Sequence, residues 1–404
     1  MRVPAFAVAA LSAACQTYEF NPVQPRVLVH EAARSVLVTF EPLRPDIFLV
    51  LDTSASMLTP IDARARECPA GCGPGAPCPP GCRTRMSEAT GGLRGFLDAH
   101  GAQARYAGVA FPAGSGCEAP VAATVAPLPS TTRDSSAVLA AQAQLVATEL
   151  TRRAPAGGTP TAATLDLVRR LTVKSAPTSR RAFAVLVTDG LPNCNGANPA
   201  QVCACDGARC GDCAGGVCAA QRAACRCTGA SCDGALCSLG CLDDEASVAA
   251  VEALRAAGVP TAVIGFGADA VGPEAAQVLA RLAVAGGLSV RCDADAPCAT
   301  GACVNGACET PLFLASDGDA LAQALLRVNE AFVCPFCPWV PLDVRPARPE
   351  LVSLLVNDAP VPPGSETWRW DSASNAVSVE GALCRALLAA EAPVTLEVRV
   401  LGEL

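Results

Sequence analysis

The apolar run Ile47-Phe48-Leu49-Val50-Leu51 passes directly into Asp52-Thr53-Ser54-Ala55-Ser56, so a stretch of strand character delivers a carboxylate and two hydroxyls from one tight turn. Oxygen donors at this spacing suit a hard divalent cation, which takes near-octahedral oxygen coordination. Two later stretches offer further ligands. Gly157-Gly158-Thr159-Pro160-Thr161 places a hydroxyl just before a helical pattern, and Ala184-Val185-Leu186-Val187-Thr188-Asp189-Gly190 ends a second apolar run in a carboxylate. Ser54, Ser56 and Asp189 are also ordinary capping residues for the segments that follow them. Capping accounts for each residue singly. It does not account for their order, with two elements closing apolar strands and a third opening a helix.

Together these stretches resemble the metal-ion-dependent adhesion site of von Willebrand factor A-type (vWA) domains, whose pattern is Asp-x-Ser-x-Ser, a distant Thr after a Gly pair, and a strand-terminal Asp. The resemblance implies an α/β fold with a doubly wound, mostly parallel, Rossmann-like sheet. It also implies a metal site of Asp52, Ser54, Ser56, Thr159 and Asp189, the last acting through water. Thr161 is the alternative to Thr159. The ion implied is Mg2+ or Mn2+, and its remaining position is one that a partner's Asp or Glu fills in this family.

From Asp46 to about Val333 strand patterns alternate with helix patterns, the signature of a parallel sheet covered on both faces. Strands are expected over 46–52, 104–111, 119–126, 181–188, 260–266 and 311–315, and helices over 86–99, 134–152, 160–172, 243–257, 272–285 and 318–331. The runs 105–111 and 261–267 look like their vWA counterparts. Three cysteine clusters interrupt the pattern: Cys68 to Cys82, Cys194 to Cys241, and Cys292 to Cys308. Loops leaving the carboxyl ends of strands in an open parallel sheet lie on the ligand face. The first two clusters are therefore expected around Asp52 and Asp189, as disulfide-stapled walls that select the partner, and the third on the opposite face. Deleting residues 195–241 should then alter partner selectivity. Residues 16–45 read as a tether with one or two strands, and 334–404 as a small β-rich module. In that module Trp368 and Trp370 share a strand face, and Cys384 is expected to pair with Cys334 or Cys337. This tail resembles the C-terminal extension of secreted cysteine-rich vWA lipoproteins of myxobacteria.

The 24 cysteines among 404 residues lie largely in Gly/Ala/Pro-rich stretches too poor in apolar bulk to pack. Disulfides must hold them, and disulfides persist in oxidising compartments. The spacings Cys210-x2-Cys213 and Cys334-x2-Cys337 also occur in thiolate zinc sites, a reading that the oxidising compartment disfavours. Met1-Arg2, the apolar Val3 to Ala10 and the small residues before Cys15 form an export signal. Its end resembles the lipobox of bacterial lipoproteins, with Leu11 one place earlier than the family prefers. That implies acylation of Cys15, and Gln16 after it implies the outer membrane or cell surface. No other segment reaches the ~18–20 apolar residues that cross a bilayer. A net charge of −8 and a single lysine oppose nucleic-acid binding.

The chain has two histidines, His30 and His100, and no Gly-x-Ser-x-Gly, His-Glu-x-x-His or phosphate-cradling loop. With no general base expected beside the metal, an enzyme is not the expected function. The expectation is a metal-dependent protein-binding or adhesion module on a lipid-anchored surface protein. The alternative is an envelope scaffold whose metal and disulfides serve stability only.

Overall fold

The computed structural model describes residues 34–40, 44–175, 180–194, 242–290, 292, 297–333 and 337–401. The signal segment with Cys15, His30, the cysteines from Cys203 to Cys241, and Cys334 lie outside the described residues.

Five strands, β2 (Asp46–Asp52), β3 (Arg105–Phe111), β4 (Ala182–Thr188), β5 (Thr261–Phe266) and β8 (Leu312–Ala315), form one parallel sheet in the order β3-β2-β4-β5-β8. Every residue of β2 is buried, as a strand covered on both faces requires. Its side chains alternate between two cores. Ile47, Leu49 and Leu51 pack with α1 (Arg85–His100), α2 (Ser136–Thr151) and α6 (Gly318–Val333). Phe48 and Val50 pack with α3 (Thr161–Ser175), α4 (Asp244–Ala256) and α5 (Pro273–Gly286). This is the doubly wound α/β architecture. Among the described residues no helix is long and apolar enough to cross a membrane.

The strand expected over 119–126 is absent. In its place Val125 alone bridges Gly108, with hydrogen bonds of 2.9 and 3.0 Å. Pro120, Pro127 and Pro129 crowd that stretch, and proline brings no donor to a ladder.

A second, antiparallel body comprises a sheet of order β1-β14-β10-β11 and a three-stranded sheet β12-β13-β9. Here β1 is Arg34–Phe40, β9 Trp339–Pro341, β10 Val352–Val356, β11 Ala359–Val361, β12 Trp368–Asp371, β13 Ala376–Val379 and β14 Val394–Val400. The strand of the N-terminal lead thus belongs with the C-terminal residues, paired along its length from Arg34 against Val400 to Phe40 against Val394. Between β13 and β14 the chain forms a helix, α7 (Gly381–Ala389), where a purely β reading expected none. Trp368 anchors this core and donates Nε1–H to Val361 O at 2.7 Å. Cys384 pairs with Cys337. Arg44 bridges the two bodies, donating to Ala102 O at 2.5 Å and to Ala390 O at 3.4 Å.

The third cysteine cluster builds a hairpin, β6 (Thr300–Val304) and β7 (Ala307–Thr310), held by Cys292–Cys303 and Cys298–Cys308. It follows Gly287, which bridges Thr261 at the start of β5, toward the amino ends of the strands. The first cluster forms nested bridges, Cys68–Cys82 and Cys72–Cys78. The sulfurs of Cys72, Cys78 and Cys82 lie within 4.8 Å of one another, as the packing of two disulfides side by side requires.

Candidate metal site

The chain steps from β2 to β3 on one side and crosses to β4 on the other, so the order of the sheet reverses between β2 and β4. Loops diverge at such a switch point and leave a crevice at the carboxyl ends of the strands. Asp52 ends β2 and Asp189 follows β4 at that crevice.

The loop after β2 is fixed by its own hydrogen bonds. Ser54 N donates to Asp52 Oδ1 at 2.8 Å, and Met57 N closes onto Ser54 O at 3.1 Å to start a short 3-10 turn, Ala55–Leu58. Thr53 faces the other way, its backbone N and Oγ1 both donating to Phe111 O at 2.6 and 2.9 Å. That leaves residues 52, 54 and 56 turned to one side. Ser54 Oγ and Ser56 Oγ are 2.9 Å apart, and Ser56 Oγ donates to Asp189 Oδ1 at 2.8 Å. Adjacent oxygens around an octahedral ion with bonds of about 2.0–2.1 Å lie about 2.9 Å apart. The hydroxyl pair therefore has the spacing of one edge of such a shell. Each Asp52 oxygen accepts one hydrogen bond, from Ser54 N and from Thr188 Oγ1 at 2.6 Å, which leaves it a lone pair for a cation. The donor set is all oxygen and fits Mg2+ or Mn2+.

Thr159 arrives on a loop bolted to this turn. Ala156 N donates to Thr53 O at 2.9 Å and Ala55 N to Gly157 O at 3.0 Å. On the far side Thr159 N donates to Asn193 Oδ1 at 2.6 Å and Asn193 N to Thr159 O at 3.0 Å. The Cys117–Cys194 disulfide ties the loop after β3 to this same Asn193 segment. Thr161, the first residue of α3, directs its hydroxyl back to Thr159 O at 3.4 Å. The structure thus joins Asp52, Ser54, Ser56 and Asp189 in one hydrogen-bonded cluster with the Thr159 loop against it.

Gly157 sits at φ +75°, and a Cβ there would lie 2.4 Å from Gly116 O and 2.9 Å from Gly114 O. Gly157→Ala is expected to cost about 1–3 kcal/mol through strain. By displacing Thr159 it should also weaken divalent-ion affinity about tenfold, the lower end for lost supporting contacts. Thermal melts with and without Mg2+ check both.

Residues outside the expected set complete the site. Arg85, the first residue of α1, donates Nη1–H to Asp189 Oδ2 at 2.7 Å and Nη2–H to Asp269 Oδ2 at 2.6 Å. Its place is set by the neck of the first insertion, where Ile61 N meets Arg83 O at 2.8 Å and Arg85 N meets Thr59 O at 2.9 Å. A single sequence offers no signal that selects Arg85 from 29 other Arg and Lys residues. Thr188, by contrast, is legible as the polar end of an apolar strand.

Burial, reinforced by the Asp189 charge, pushes Asp52 up from the ordinary 3.8 to about 7. Burial also raises Asp189, against the opposing pull of Arg85 and Ser56. A folded carboxyl above its unfolded value holds a proton that the unfolded chain releases. Without metal, stability is then greatest below about pH 4 and falls as pH rises toward 7, by up to about 2 kcal/mol between pH 5 and 7. A cation takes the anionic form, so the Mg2+-induced rise in Tm should grow across the same window. Melts at pH 5, 6, 7 and 8 with EDTA or Mg2+ test this, and an Mg2+ effect independent of pH would contradict it.

No family model and no curated protein matches this chain. Among solved structures, a pilus adhesin from Lactobacillus rhamnosus GG overlaps 91% of this chain and 41% of its own, at 14% identity and a TM-score of 0.43. The vWF domain of a type V pili tip protein from Porphyromonas gingivalis overlaps 76% and 100%, at 14% identity and a TM-score of 0.39. A von Willebrand factor type A protein from Catenulispora acidiphila overlaps 91% and 60%, at 12% identity and a TM-score of 0.37. The chain thus spans less than half the length of the pilus adhesin, and overlaps this distant carry no argument about function. The protein is a doubly wound α/β fold with an oxygen-lined crevice at its switch point.

Proposed function

We propose that this chain is a metal-dependent protein-binding module that serves adhesion. In this reading Asp52, Ser54, Ser56 and Thr159 hold Mg2+ or Mn2+, with Asp189 acting through water. Bound there, the ion supplies an electrophilic position for an Asp or Glu of a partner. The observation that carries the reading is the convergence of two buried carboxylates and two hydroxyls, separated by up to 137 residues of sequence, in one hydrogen-bonded cluster at the switch point. A purely structural cluster of this kind would bury two carboxylates against one guanidinium, and uncompensated buried charge is costly. A divalent ion removes that cost.

The role is binding rather than catalysis. His100 ends α1, about 22 Å along the helix from Arg85 at the site, so no histidine among the described residues serves the cluster as a base. Export and a lipid anchor at Cys15 on the outer membrane or cell surface rest on the Met1–Cys15 sequence and on the disulfides of the fold. The likeness to secreted myxobacterial vWA lipoproteins belongs to the same proposal.

Beads coated with the oxidised protein should adhere to a surface bearing Asp- and Glu-containing peptides in Mg2+, and release in EDTA. Beads coated with the Asp52→Ala variant should not adhere. Metal-dependent stability without any metal-dependent adhesion would instead favour the envelope scaffold.

A further inference from the structure

We propose that Arg85 and Asp269 form a second carboxylate site at the rim of the metal crevice, so that the preferred partner is an extended acidic peptide with two neighbouring carboxylates. One would go to the metal and one to Arg85, displacing Asp269. This rests on the metal-dependent reading above.

A guanidinium presents Nε–H and one Nη–H along a single edge, matched to the two oxygens of a carboxylate. The chain shows that match completed elsewhere: Arg83 Nε and Nη2 donate to Glu88 Oε1 and Oε2, both at 2.5 Å. On Arg85 the same edge is half used. Nη2 donates to Asp269 Oδ2, while Nε is buried with no hydrogen-bond partner among the described residues. A buried N–H without a partner is costly, and a carboxylate that engages both donors relieves it.

The two carboxylates on Arg85 differ in kind. The Arg85 side chain is 4% exposed and that of Asp189 1%, but that of Asp269 is 67% exposed. Asp189 belongs to the interior, whereas Asp269 reaches in from solvent on a short turn, Ala268–Val271. Backbone packs close on the Nε side: Gly267, at φ +80°, would place any Cβ 3.1 Å from Arg85 Nε.

Charge points the same way. Asp52, Asp189 and Arg85 together carry one negative charge when ionised, and a divalent ion makes it one positive. Asp269 is then the nearest balancing anion, a stand-in for an incoming acid. Asp189 joins the two subsites, one oxygen on Ser56 and the other on Arg85. Because Asp189 meets Arg85 at Nη1 and the open edge is Nε/Nη2, the subsites lie about one carboxylate plus one guanidinium apart, and acidic residues two apart on an extended chain present their side chains on one face about 6.6 Å apart.

The test is calorimetric titration in saturating Mg2+ of a blocked Glu-Ser-Glu tripeptide and its Glu-Ser-Gln counterpart, with Mn2+ titrated into each protein beforehand. The wild type should prefer the dicarboxylate about tenfold, the scale of one charge-assisted contact. Asp269→Asn should tighten the dicarboxylate about tenfold further and leave the monocarboxylate unchanged, and Arg85→Lys should erase the preference. Intact Mn2+ binding with equal affinities for both peptides, or no gain in Asp269→Asn, overturns the second site alone. Failure of the wild type to bind Mn2+ overturns the metal reading beneath it.

Discussion

Asp52→Asn is expected to abolish the Mg2+ response while leaving the metal-free protein at least as stable as wild type at pH 7. Burial and Asp189 push the pKa of this carboxyl up to about 7, so in the metal-free fold it costs stability at pH 7 that a neutral amide does not. The amide keeps the shape and both contacts. Its oxygen accepts from Ser54 N, and its NH2 donates to Thr188 Oγ1 once that hydroxyl turns to Gly190 O, 3.4 Å away. What is lost is the anion. In wild type, Mg2+ at a hundredfold excess over its Kd adds about 2.7 kcal/mol, and the variant should gain none. Urea denaturation with and without Mg2+ measures both terms. A variant that is still stabilised by Mg2+ would remove Asp52 from the ligand set.

Arg85→Met should have the largest effect on the metal-free protein. The substitution leaves Asp189 buried without its counter-charge, and breaking a buried pair from one side costs about 3–5 kcal/mol. Asp269, largely solvent-exposed, loses little. The penalty should shrink toward pH 5, because burial has already raised Asp189 and protonation discharges it. It should also shrink in Mg2+, since a cation on the cluster restores the missing positive charge. Denaturation at pH 7 and pH 5, each with EDTA or Mg2+, reads all four conditions. A uniform loss across them would show that the methionine acts only through packing.

Much of this was legible along the chain because the relevant signals are local. The uniformly apolar 47–51 run ending in Asp52 announces a central strand, and the alternation of such runs with helical periods defines the doubly wound sheet. Periodicity does not report long-range pairing. Nothing near Arg34 says that its strand lies against Val394–Val400, and nothing in the spacing of Cys117 says that it meets Cys194. The nine residues of α7 are short enough to read either way. Burial of Cys384, Leu387 and Leu388 shows the helical period only once the partner surface is known. The stretch 119–126 failed for the opposite reason: local apolar character was present, but flanking prolines removed the donors a ladder needs. At the site, the ligand candidates form a pattern, whereas Arg85 reaches Asp189 across 104 residues and bears no motif.

On this reading the oxygen cluster at the switch point holds one divalent ion. Calorimetric titration of Mn2+ into the oxidised protein at pH 7.5, repeated with Asp52→Ala, tests it most directly. Saturable binding at one ion per chain is expected in wild type and none in the variant. Binding of equal strength and stoichiometry in both proteins, or no saturable binding in either, would contradict it.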